Sequence, residues 1–131
     1  MIRPACLALA CVLAGPAAGT GGSGLPSGQT VELYEVLVDH VGAEHWIRFR
    51  FLAPQIARDT GQLGFAEVEP DMTYLCATVA LPYLDEFDLA GEVVVISLAD
   101  RAVDFGQSDP DATQYIDAFR VENGICIWEG Y

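Results

Sequence analysis

The sequence predicts an α+β fold: an antiparallel-dominated sheet of about five strands, one main helix packed on one face, and a short helical turn. Three observations carry this. Residues 34–51 fit a single hairpin register, a helical apolar stripe follows Pro70, and an Asn-Gly turn lies near the C-terminus. At 131 residues there is room for one domain.

The first hairpin is read from a two-residue turn at Gly42-Ala43, with glycine first as a type II′ turn prefers. Val38 then faces Ile47, Val36 faces Phe49 and Tyr34 faces Phe51 on one side. On the other side Glu35 faces Arg50, Leu37 faces Arg48 and Asp39 faces Trp46. One register thus yields an apolar face and an opposite-charge pair together.

Leu52 to Gln62 reads as a loop, broken by Pro54 and Gly61. A helix is expected to begin near Pro70, with Asp71 favourable to the dipole of its first turn. Leu75, Cys76, Val79 and Ala80 then form a buried stripe, and Pro82 kinks or ends the helix. Glu92 to Ala99, almost wholly apolar and β-branched, reads as a central strand covered on both faces. Ser108-Asp109-Pro110-Asp111 has the look of a helix start, with Asp109 as cap, and supplies the short helical turn. Asn123-Gly124 closes a second hairpin that pairs Val121 with Cys126 and Phe119 with Trp128, leaving Arg120 and Ile127 on the other face.

Residues 1–19 hold a basic start, an uncharged run from Ala5 to Leu13, and small residues to Gly19. That is the pattern of a cleaved secretory signal, too short to span a membrane, with cleavage favoured after Gly19. Residues 20–29, rich in Gly, Ser and Pro, read as a flexible lead-in, and residues 30–131 as the folded domain. A structural envelope lipoprotein anchored at Cys11 is the alternative, since Ala8-Leu9-Ala10-Cys11 distantly resembles a lipidation site. Otherwise a periplasmic or secreted location is expected.

The chain has no lysine and a formal net charge of −13; without residues 1–19, which hold Arg3 and no acid, it is −14. Such a balance excludes nucleic acid and anionic membrane surfaces as partners, and a monomer is expected. Cleavage removes Cys6 and Cys11, leaving Cys76 and Cys126 as a pair for one disulfide. Both periodicities turn these two cysteines toward the same core.

The hairpin register sets His40 opposite His45, with Glu44 adjacent, so a zinc or other divalent ion is the one cofactor the residues offer. His-Val-Gly-Ala-Glu-His is one residue too long for a metallopeptidase motif, and its glycine sits where a helix is required. Trp46, Arg48 and Arg50 line the hairpin's outer face as a candidate docking stripe for an acidic or planar ligand. Asp85, Glu86 and Asp88, like Asp109 and Asp111, depart from the EF-hand calcium pattern. No phosphate loop, nucleophile elbow or acyl-transfer triad is present, so no catalytic residue is assigned.

The stretch Val94–Arg101, with Phe105-Gly106, Asp109-Pro110, Thr113-Gln114 and Cys126-Ile127-Trp128-Glu129, resembles an uncharacterised family of small secreted alphaproteobacterial proteins. Leu33–Val38 and Trp46–Pro54 share the resemblance. It implies an exported bacterial protein and brings no catalytic residues. The expected function is a non-catalytic periplasmic module that binds a protein or envelope component; a metal-binding or hydrolytic domain using His40 and His45 is the alternative.

Overall fold

A computed structural model of the chain describes residues 21–22 and 24–130. Among these residues six strands form one sheet in sequence order: β1 (Gly21–Gly22), β2 (Val31–Val41), β3 (Glu44–Leu52), β4 (Val93–Ala99), β5 (Gln114–Glu122) and β6 (Ile125–Trp128). Five are full strands, and β1 is a two-residue pairing on the edge of β2. Neighbours run antiparallel except β3 and β4, which are parallel. A parallel pair needs a crossover, and the helical layer supplies it. That layer is α1 (Phe65–Leu75), a π turn (Cys76–Ala80) and α2 (Leu81–Glu86) in direct succession.

The helices cover one face of the sheet. Ile47, Phe49 and Phe51 of β3, Val94, Ile96 and Leu98 of β4, and Phe119 of β5 pack against Val68, Met72, Leu75, Cys76, Ala80 and Leu84. Burying each such Phe, Leu, Ile or Val side chain contributes about 1.5–3 kcal/mol. β4 is buried along its whole length, as its continuous apolar run predicts. Cys76, fully buried, is bonded to Cys126 of β6 with their Cα atoms 6.4 Å apart. The bond closes a separation of 50 residues, worth about 4 kcal/mol if its effect is loss of chain entropy in the unfolded state.

Both hairpin registers agree with expectation from Glu35↔Arg50 to Val41↔Glu44 and from Phe119↔Trp128 to Glu122↔Ile125. The turns have the backbone their residues allow: Gly42 has φ 63°, while Asn123 and Gly124 both have positive φ, as type I′ demands. One pairing is corrected. The register shifts between Leu33 and Glu35, so Leu33 rather than Tyr34 faces Phe51. Tyr34 is the extra residue of a bulge, and its ring lies 5.2 Å from the Arg50 guanidinium on the opposite face.

The helix starts earlier than expected. It starts at Phe65, where the Glu67 side chain accepts the Gly64 N–H at 2.8 Å, half of a capping box. Pro70 lies inside α1, and Asp71 is a fully buried acceptor rather than a first-turn acid. Its carboxylate takes hydrogen bonds from the Ser27 N–H, the Ser27 hydroxyl and the Gln29 amide. The segment read as a lead-in therefore contributes buried Leu25 and Gln29 to the interior. Pro82 does not end the helix. The Leu81 N–H reaches the Cys76 carbonyl five residues back, and this wider turn relieves the clash a proline ring makes with the carbonyl four residues earlier. The short helical turn falls at Pro54–Ile56, within the stretch read as loop. Residues Asp109 to Ala112 instead form a reverse turn: Asp109 accepts the Ala112 N–H on its carbonyl and the Asp111 N–H on its carboxylate.

Candidate functional site

The face of the sheet away from the helices is built in rungs, because paired residues point the same way. One rung is Asp39, Trp46, Val93, Arg120 and Ile127; the next is Leu37, Arg48, Val95 and Ala118; the third is Glu35, Arg50, Ser97 and Ile116. Val93, Val95 and Ala118 form a small second core with Trp46 packed against it. Charged side chains surround this apolar centre.

The loop from β4 to β5 folds over one end. Asp100 ties its neck: its carboxylate accepts the Thr113 N–H at 2.6 Å and two bonds from Arg101. Burial alone pushes the Asp100 carboxyl up, but the Arg101 guanidinium and the Thr113 N–H outweigh it and hold the group below its ordinary value. The loop thereby brings Phe105 within 5.4 Å of the Arg48 guanidinium and 5.6 Å of that of Arg50.

The three residues of the candidate stripe thus have different surroundings. Arg50 is only 4 % exposed. It pairs with Glu35 at 2.6 Å, donates to the Val103 carbonyl at 2.6 Å, and has the rings of Tyr34 and Phe105 beside it. Arg48 stays partly exposed; among the described residues its one ion pair, to Asp39, is 3.5 Å long, and its Nε has no hydrogen-bond partner. Trp46 is half-buried, and its indole N–H points to Glu44 at 3.4 Å. Arg120 binds Glu44 at 2.6 Å and Glu129 at 3.2 Å, closing the far end of the face. The Arg120 bond holds the Glu44 carboxyl below its ordinary value. Phe105, Ile116 and Ile127 remain exposed around this face.

The structure brings His40 and His45 together, with ring centroids 4.8 Å apart. Glu44 does not join them, being held by Arg120 on the opposite face. Glu92 takes that place: one carboxylate oxygen accepts the His45 N–H at 2.6 Å and lies 3.2 Å from His45 Nδ1. The backbone bond chiefly, and the imidazole secondarily, hold the Glu92 carboxyl below its ordinary value against the opposing effect of burial. Among the described residues no three His, Cys, Asp or Glu side chains converge as a metal's ligands would. A polar recess of about 430 Å³ is lined by Arg58, Asp59, Arg101 and Asp111, whose formal charges cancel. Both of its arginines are already engaged, with the Pro110 and Ala112 carbonyls and with Asp100.

The sequence reading did not single out Phe105, Ile116, Arg120 or Glu92 as site residues. Alternation along β5 does place Ile116 and Arg120 on the face of Ala118, once β5 is paired with β4. Phe105 had no such signal, because only the fold of its loop sets it above β3. Residues 1–19, read above as a secretory signal, and with them Cys11, lie outside the described residues. No helix among the described residues is long and apolar enough to cross a membrane. No curated protein and no solved structure matches the chain. A family model does match, over residues 7–131. The chain belongs to DUF6497, a family of unknown function.

Proposed function

We propose that this protein is an exported, disulfide-stapled interaction module without a catalytic centre, which docks a protein or envelope component on the outer face of its sheet. The observation that carries the reading is Arg48. Of the described arginines it is held most lightly, by one long contact, and it stands between Trp46 and Phe105. A guanidinium flanked by rings suits a carboxylate or a planar group, and exposed Ile116 and Ile127 offer apolar area nearby. The other charges of the face are spent internally, so planar and apolar contacts would give specificity there. The pattern of residues 1–19 supports export, and the Cys76–Cys126 bond suits an oxidising compartment. A photoreactive residue in place of Leu37, used in the native envelope, tests the docking. One discrete adduct is expected, and Arg48→Ala should abolish it. An adduct equally strong with Arg48→Ala, or none from this face, would refute the reading.

A further inference from the structure

A second surface lies at the opposite end of the molecule from the Asp100 loop. An open groove of about 680 Å³ runs between α2 and the second hairpin, floored by Leu81, Leu84, Leu89 and Val121 and rimmed by Asp85 and Asp88. No described arginine lines it. The rim is fixed, since the Leu89 N–H bonds the Leu84 carbonyl at 2.9 Å and the Asp88 N–H bonds that of Asp85 at 3.3 Å. Both aspartates flank the C-terminus of a helical run unbroken from Phe65 to Glu86, whose dipole adds negative potential at that end.

We propose that this groove receives an extended segment of a partner in which apolar residues alternate with lysine or arginine. Charge complementarity selects this occupant. The chain has no lysine and a net charge of −13, and none of its described arginines lies at the groove. A second copy brings the same deficit, so electrostatics opposes self-association there. An apolar floor with an acidic rim binds the two kinds of side chain that such a segment presents together. The inference rests on the protein being an interaction module but not on the outer face.

The probe is a short peptide of alternating leucine and lysine, titrated into the full chain by calorimetry, with binding mapped by amide chemical shifts. Asp85→Asn with Asp88→Asn should weaken binding at least about tenfold; asparagine tolerates the positive φ of 52° at position 88. Glu32→Gln with Asp59→Asn, an equal change of charge at the far end, should leave binding near wild type, as should Arg48→Ala. Shifts should fall on residues 77–91 and 121–124. Equal loss in both double variants would overturn the proposal, because it would reduce to the acidity of the whole surface. Absence of binding would do the same. So would a dimer that buries the groove, since it identifies a different occupant. If the peptide fails while the Leu37 adduct persists, the outer-face reading stands without the groove.

Discussion

Arg48 and Arg50 are two residues apart on one strand and point the same way, yet their neighbours give them opposite tasks. Arg50 is buried between two rings and a carboxylate, so its removal strands Glu35 and the Val103 carbonyl. Arg50→Ala should therefore cost about 3 kcal/mol in urea unfolding, whereas Arg48→Ala should cost under about 1 kcal/mol. Equal costs would contradict the division. The pairing with Glu35 was legible from the hairpin register alone. The burial was not, because it depends on Phe105, far along the chain. Glu92 is likewise visible only in three dimensions. Its folded carboxyl titrates below its unfolded value, so its contribution is full above the ordinary carboxylate range, about 4.3, and is lost as pH falls through the lowered folded value. Glu92→Gln should therefore reduce stability at neutral pH, with the deficit shrinking as pH falls below the ordinary carboxylate range. A deficit that grows with acidification would reverse the sign of the argument.

At the level of elements, alternation sufficed where a strand meets its hairpin partner. It gave both turns and both registers, and failed only at Tyr34, because a bulge that turns one residue to the other face is not encoded in alternation. The helix was legible as a stripe but not in its limits. Pro70 and Pro82 look like a boundary and a breaker, while packing of Val68 and Met72 below and Leu84 beyond holds all three segments on one core. The parallel pairing of β3 with β4 follows from that crossover and from no local signal. The segment after α2 is pinned by Gly91. A methyl group there would stand 2.8 Å from Ile47 Cγ1 and 3.4 Å from Leu84 Cδ1, and Ile47 is fully buried. Gly91→Ala is thus expected to destabilise the fold by about 1–3 kcal/mol through overpacking. A neutral thermal shift would mean that the end of α2 moves freely against the sheet.

The molecule as a whole is governed by its charge and its one staple. Six cationic side chains face nineteen acids, so mutual repulsion opposes the compact state. Apart from Arg50–Glu35 and Arg101–Asp100, which each have one buried partner, the described ion pairs are partly or fully exposed, and each such pair is worth at most about 1 kcal/mol. Screening should therefore help more than it harms: the melting temperature at neutral pH should rise between about 10 mM and 150 mM salt. A fall would show that the pairs of the outer face dominate. The disulfide offsets this repulsion, and the proposed export would supply the oxidising compartment in which such a bond forms. Helix and strand periodicity had already turned Cys76 and Cys126 inward, so the staple was readable before any coordinates. Export and staple together are read by one intact-mass measurement on the chain recovered from its native cells without reductant. The expected mass is that of a chain beginning just after residue 19, less two hydrogens, in the periplasmic or secreted fraction. A full-length chain with Cys76 and Cys126 both reduced, retained in the cytoplasm, would contradict the account.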